Sequence, residues 1–253
     1  MKTTRYLLLA ALLAAQSMNA ESAPADSLAA ASAALEKGDL ATAESLVAPL
    51  AQGEAVRAEA CALLSDVRLK QKRVKEAIEL LERAGKIAPA VASYQSRLGE
   101  AISLRIGEVN FMQQAMLAGR MRDAFKRSVE IDPDHVPGYI GLSRYYRNVP
   151  AIAGGSLEKA IVYAEEARKR EVFAGTLELG FIAEQQGRLD QALGYYGEAL
   201  RLHPDQAWLH EQMGRVLAKL GRPSGARACF EKAIELDPKR ESARQALASL
   251  PAT

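Results

Sequence analysis

Small and apolar positions recur along this chain at a fixed offset of 34 residues. Leu179-Gly180 returns as Met213-Gly214, Ala192 as Ala226, Tyr196 as Phe230, Ala199 as Ala233 and Pro204 as Pro238. Each slot has a packing task. Glycine at 180 or 214 removes a side chain where two helices approach closely, and Ala192 and Ala226 do the same from the second helix of each pair. Tyr196 and Phe230, four residues further on, lie on the same helical face as those alanines and fill the space between pairs. Pro204 and Pro238 follow the second helix and cannot continue it, so they separate one pair from the next. Unrelated amphipathic helices would not share five slots at one offset, so the pattern predicts helix pairs stacked in a row.

Towards the N-terminus, Ala77, Ala84 and Pro89 fit the same slots, and Ala43 precedes Ala77 by 34 residues. The repeats then fall at 24–57, 58–91, 92–135, 136–172, 173–206 and 207–240, and residues 241–250 (ESARQALASL) read as a cap helix that covers the last apolar face. The period, the small residue, the Ala-x3-aromatic spacing and the closing proline resemble the tetratricopeptide repeat (TPR). That resemblance implies an all-α, right-handed α-solenoid of about six helix pairs plus a C-terminal cap helix. It also implies a binding surface rather than a reaction.

The third and fourth repeats, 44 and 37 residues long, carry insertions. In the third, Tyr94, Leu98 and Gly99 start a first helix, and the second helix is placed from near Gly119, with Phe125 in the aromatic slot. The extra residues around RIGEVNFMQQ (105–114) contain no proline and keep helical apolar spacing at Ile102, Ile106, Val109 and Met112/Gln113. They read as an elongation of the helix pair, which either accommodates spacing or serves a ligand. In the fourth, the first helix ends before Pro150, a loop passes through Ala153-Gly154-Gly155, and Ser156 caps the next helix. The segment 139–160 resembles exported bacterial TPR proteins in which an aromatic-rich helix runs into a Pro-x-Ile-x-Gly-Gly loop, a likeness that transfers no functional residue.

The first 20 residues form a separate object: Lys2 and Arg5, an apolar run from Tyr6 to Ala15, then Gln16-Ser17-Met18-Asn19-Ala20. This layout is that of a cleaved signal peptide, with cleavage after Ala20. The alternative, a retained anchor, meets the difficulty that a bilayer needs about 20 apolar residues. No cysteine follows the run until Cys61, so a lipoprotein attachment site is not expected, and a periplasmic or secreted location is. All 31 acidic residues lie beyond position 20, as do 31 of the 33 basic ones. That balance argues against a nucleic-acid binder, for which a basic surplus is expected. Cys61 and Cys229 fall in distant repeats and read as inert, unpaired, buried thiols.

Catalytic chemistry has no residues to stand on. No HExxH, GxSxG or GxGxxG occurs, and His135, His203 and His210 lack acidic or cysteine neighbours at metal-ligand spacing. Ser156-x-x-Lys159 lacks the companion motifs of penicillin-binding enzymes. Neither a cofactor nor a metal is expected. The Pro150, Gly154, Gly155, Ser156 loop is a candidate anion cradle at a helix start, or else a plain connection. RLKQKRVK (68–75) is either a solvated turn or a site for anionic lipid head groups.

In TPR arrays the first helix of each pair lines the inner surface, which here implies Arg144, Arg147 and Asn148, then Phe181 and Glu184, then Trp208, Arg215 and Lys219. Adapters that grip the C-terminal carboxylate of heat-shock chaperones use paired asparagines at such positions. This chain has Arg144, Phe181 and Arg215 at the ninth position instead. An extended or helical acidic peptide still fits, while the arginines could equally serve as internal ion-pair partners. The expectation is an exported, non-enzymatic scaffold that binds an envelope protein or peptide through its groove and its repeat 3–4 insertions. A small-ligand accessory module, as in TPR components of TRAP-type transporters, is the alternative, motivated by Tyr139, Tyr145, Tyr146 and Tyr163. Self-assembly through the alanine-rich first repeat is a third, and the oligomeric state is left open.

Overall fold

A computed structural model describes residues 26–52 and 57–251. The leader expected at 1–20 lies outside these residues. The described chain consists of helices and short turns, with no strand among the described residues. Helix α1 covers 26–36, followed by α2 (Leu40–Gln52), α3 (Ala58–Lys70), α4 (Val74–Ile87), α5 (Ala92–Ile106) and α6 (Phe111–Ile131). Then come α7 (Val136–Asn148), α8 (Leu157–Arg170), α9 (Val172–Gln185), α10 (Leu189–Leu202), α11 (Ala207–Lys219), α12 (Pro223–Leu236) and α13 (Glu241–Ala248). The chain divides into two compact units between Pro133 and Asp134: α1–α6 form unit 1 and α7–α13 form unit 2. In each, consecutive helices pack as antiparallel pairs on their sequence neighbours, an α-solenoid arrangement. None of the described helices is long and apolar enough to cross a membrane.

The small-residue slots work as steric sockets. A methyl group added at Gly180 would stand 2.4 Å from the Tyr196 ring, and one at Gly214 would stand 2.6 Å from Phe230. Gly99 and Phe125 repeat the arrangement in unit 1, at 2.7 Å. Where the opposite residue is smaller, serine takes the glycine's place. Ser65 shares its repeat with buried Leu81, and Ser143 with buried Ala164. Both hydroxyls are satisfied, Ser65 donating within its own helix to the Ala62 carbonyl at 2.6 Å and Ser143 across to the Ala160 carbonyl of α8 at 3.0 Å. In that fourth pair the aromatic mass comes from the first helix instead. Tyr145 and Tyr146 are buried in edge-to-face contact, and Tyr146 stacks on Tyr163 at 5.5 Å. Tyr145 and Tyr146 are thus packing residues, whereas Tyr139 and Tyr163 are partly exposed.

A further slot escaped the sequence reading. Gly38, Gly187 and Gly221 adopt φ of +79°, +72° and +68° at the turn within their pairs, and Lys72 holds the same slot at +62°. In each turn the amide of this residue donates back to the helix, as does the next one: Lys72 to Leu69 and Arg73 to Arg68, Gly187 to Glu184 and Arg188 to Ala183. This is a left-handed C-terminal cap, which glycine adopts without penalty and a Cβ-bearing residue does not.

The third pair differs from its expected form. Its second helix does not resume near Gly119 but begins at Phe111 and runs unbroken for 21 residues. Asn110 sets this start, its side chain accepting the Gln113 amide at 3.0 Å. Nothing between 111 and 118 breaks a helix, so the extra residues become two additional turns of α6. In the fourth pair α7 stops at Asn148, and a single 3-10 turn at Ala151–Ala153 leads to α8.

Two stability outcomes follow from these sockets and turns. Gly180→Ala lowers stability by about 1–3 kcal/mol through overpacking, and in a Gly180→Ala, Tyr196→Leu double variant the loss is smaller than the sum of the single changes. Lys72→Gly raises stability by roughly 1 kcal/mol by relieving the left-handed conformation. Urea denaturation midpoints read both.

Candidate functional site

The expected groove residues lie on the first helices of unit 2, α7, α9 and α11, which follow one another with α13 behind them. Their side chains are tied together by buried carboxylates. Glu178 on α9, only 1 % exposed, receives Arg144 Nε at 2.6 Å and has Arg147 Nη2 at 3.5 Å, both from α7. Glu184, on the same helix α9, accepts from Gln212 Nε2 and Lys219 Nζ of α11, one pair further on, each at 2.6 Å, and from the Tyr196 hydroxyl at 3.0 Å. Glu211 on α11 accepts from Arg215 at 2.5 Å and from Arg240 and Ser242 at 2.9 Å each, which fastens the cap helix. Carboxylates removed from water in this way are tolerable only when paired with cations or hydrogen-bond donors.

The aromatic members sit among these ties. Phe181 lies under the Arg147 guanidinium at 5.4 Å, meets Tyr196 edge-on at 5.7 Å and faces Trp208 at 6.5 Å, nearly parallel. The Trp208 indole N–H donates to Gln206 at 3.0 Å. Gln185 reaches back to the Arg147 carbonyl at 3.0 Å, and Asn148 beside it is exposed. Thus the structure assembles Arg144, Arg147, Phe181, Glu184, Trp208, Arg215 and Lys219 along one succession of helices.

The arrangement is electrostatically layered. The Glu178, Glu211 and Glu184 side chains are 1, 6 and 14 % exposed, whereas those of Arg144, Arg215 and Lys219 are 50–56 % exposed. Acid lies beneath and base above, so a face of balanced formal charge presents cations and ring faces to solvent. Burial alone would raise the Glu184 carboxyl, but the bonds from Lys219, Gln212 and Tyr196 outweigh it and hold it below the usual carboxylate range. Glu211 follows the same balance, with Arg240, Arg215 and Ser242 overcoming its burial. The Tyr196 hydroxyl is pushed up by its burial and by the Glu184 charge.

Two family models described as tetratricopeptide repeat match the chain, at residues 28–92 and 179–251. The chain carries tetratricopeptide repeats. Among solved structures, TTC0263, a thermophilic TPR protein of Thermus thermophilus, superimposes with a TM-score of 0.62 at 24% identity, covering 76% of this chain and 97% of that one. MamA from Desulfovibrio magneticus RS-1 gives a TM-score of 0.53 at 15% identity, covering 73% of this chain and 97% of that one. At such identities the likeness is one of fold. The cellulose synthase operon protein C of Pseudomonas fluorescens is 24% identical over 250 residues, 83% of this chain and 20% of its own length. Mouse protein O-mannosyl-transferase TMTC3 is 24% identical over 125 residues, 45% of this chain and 14% of its own length. The chain therefore spans a fifth or less of the curated relatives it matches.

In the loop of the fourth pair the amides of residues 154–156 are not free to cradle an anion. Gly154 N–H donates to Ala151, Gly155 N–H to Pro150 and Ser156 N–H to Tyr146, so its amides are already used internally. Gly154 takes φ +96°, and a Cβ on Gly155 would collide with the Val149 carbonyl at 1.7 Å, so both glycines serve the turn itself. Ser156 accepts the Lys159 amide at 3.2 Å, the cap expected from sequence, and Glu158 adds an acidic group in the first turn of α8. Among the described residues no cluster of three or more potential metal ligands comes together. His203 packs edge-on against Phe173, and a His210 ring nitrogen lies 2.9 Å from the Pro204 carbonyl. Cys61 and Cys229 are free, and burial pushes both thiols up, away from reactive thiolate.

Sequence reading named Glu184 but missed Glu178 and Glu211.

The depressed Glu184 and Glu211 carboxyls have a consequence for acid stability. A group whose folded pKa lies below its unfolded value, about 4.3 for glutamate, contributes stability that is fully present above that value. The contribution disappears as pH falls through the folded pKa. The melting temperature therefore falls with acidification from about pH 5 downward, and Glu184→Gln makes that limb shallower while lowering stability at neutral pH. Melting curves at successive pH values read both effects.

Proposed function

We propose that this chain is an exported, non-enzymatic TPR scaffold that binds an acidic segment of a protein partner in the cell envelope through the first-helix face of unit 2. The observation that carries the reading is the layering of that face, with carboxylates buried beneath half-exposed Arg144, Arg215 and Lys219. Helix-paired repeats of this kind provide a large, shaped surface for a peptide or a partner helix. Cations held in place by buried acid are pre-organised and lose little freedom when a carboxylate arrives. Phe181 and Trp208, partly exposed between them, offer an apolar platform for a neighbouring side chain of the partner.

Export rests on the leader-like sequence, Lys2 and Arg5 ahead of the apolar run from Tyr6 to Ala15. The non-enzymatic reading rests on the repeat architecture and on the absence of a recognisable catalytic motif in the sequence. The activities in the names of the curated relatives belong to proteins five or more times the length matched here.

The test uses substitutions that the structure tolerates. Arg144→Gln leaves Arg147 on Glu178, and Arg215→Gln leaves Arg240 and Ser242 on Glu211. A photo-cross-linking residue at Asn148, in intact cells, is expected to capture one envelope protein. The yield falls about thirtyfold in the Arg144→Gln, Arg215→Gln variant if each lost ion pair is worth about 1 kcal/mol. Unchanged yield with an unchanged melting temperature excludes this face as the binding site.

A further inference from the structure

One end of unit 1 combines two features that the unit 2 face does not use. The first is the elongated start of α6. Phe111 and Met112 are 84 % and 83 % exposed, and Met116, one turn on, is exposed as well. With Ala115 these residues share one side of the helix, since positions i, i+1, i+4 and i+5 face the same way. The result is a convex apolar knob, and Leu104 adds a further exposed apolar group at the end of α5.

The second feature is the turn from α3 to α4. Of its basic residues, Arg68 is buried and bonded to Glu44 and Glu76, and Arg73 shares Glu76, so those four charges cancel. Lys70, Lys72 and Lys75 remain exposed, and among the described residues only Lys75 of the three has an acid within ion-pair distance, Glu79 at 4.0 Å. Lys72 is the residue kept in the left-handed slot that three other turns fill with glycine. A conformational cost retained at an exposed cation points to use of that cation.

Both features lie at the same end. The α3–α4 and α5–α6 turns each join a first helix to a second in neighbouring pairs, and α4 packs on α5. Lys75, Val109 and Met116 line one hollow of about 320 Å³. We propose that this end of unit 1 docks on the surface of an anionic lipid bilayer, with Phe111, Met112 and Met116 entering the interface and Lys70, Lys72 and Lys75 facing the head groups. A protein partner would need a matching concavity, and a stable protein interface buries about 1,200 Å² or more. A few projecting side chains on a two-turn knob offer much less. A bilayer accepts a knob of any shape. Neither feature suffices alone, but an apolar insertion plus a basic patch supplies the two signals that reversible peripheral binding requires.

The test is co-sedimentation of the full chain with vesicles of phosphatidylcholine, with or without phosphatidylglycerol. The wild type is expected to partition onto the anionic vesicles and to release on addition of salt. Phe111→Ser, Met112→Ser and Lys70→Glu, Lys72→Glu variants are each expected to lose about tenfold or more of that partitioning. Lys72→Gly separates binding from folding: it is expected to weaken partitioning about fivefold while making the protein more stable. Equal binding of wild type and the Phe111, Met112 variant overturns the proposal, and so does equal binding to neutral vesicles. So does the opposite pattern, in which those apolar substitutions abolish concentration-dependent light scattering of the protein but leave vesicle binding intact. That result would make the knob a contact between protein molecules.

Discussion

The close approach of two helices at a glycine facing an aromatic ring is the constraint on which the rest depends. At Gly99, Gly180 and Gly214 there is no room for even a methyl group, because Phe125, Tyr196 and Phe230 fill the space. Each contact ties the choice of residue on one helix to the size of the residue on the other, and the Ser65/Leu81 and Ser143/Ala164 pairs obey the same trade with other sizes. Helices held at this separation repeat their geometry from pair to pair. Equivalent positions of successive first helices therefore stand side by side, and residues about 34 apart in sequence can meet.

That juxtaposition explains the buried carboxylates of unit 2. Glu178 is reached by arginines from the preceding pair, Glu184 by a lysine and a glutamine from the following one, and Glu211 by the cap helix. Isolated burial of any of these would be strongly unfavourable, so each acid demands its cationic partner. The cations are long and keep their outer halves in water. A structural need for pairing thereby produces a functional asymmetry, with acid inside and base outside. TPR architecture supplies the surface, and these ion pairs decide its sign.

The irregular places have local causes. Asn110 offers its side chain to the Gln113 amide and thereby starts α6 earlier than the repeat alone would. The fourth pair consumes its loop amides on its own carbonyls, which leaves a rigid connection where a glycine pair had suggested an anion site. Lys72 retains a left-handed conformation in a slot otherwise given to glycine.

The helix pairs, the glycine, alanine and aromatic slots, the Ser156 cap and the terminal cap helix were legible in the chain, because all depend on short-range periodicity and on residue size at fixed offsets. The left-handed turn slot was equally present at the 34-residue offset but hidden by a lysine among glycines. What only the tertiary structure decided was the fate of polar groups. Nothing in the local pattern distinguishes Glu178, sealed between α7 and α9, from a solvated glutamate, nor Tyr145 and Tyr146 in the core from an aromatic patch. Nor does a glycine pair announce that its amides are already bonded. Hydrophobic spacing is written along one helix, whereas the satisfaction of a charge or an amide depends on which atoms of other segments arrive within about 3 Å, and that is settled only when the helices have stacked.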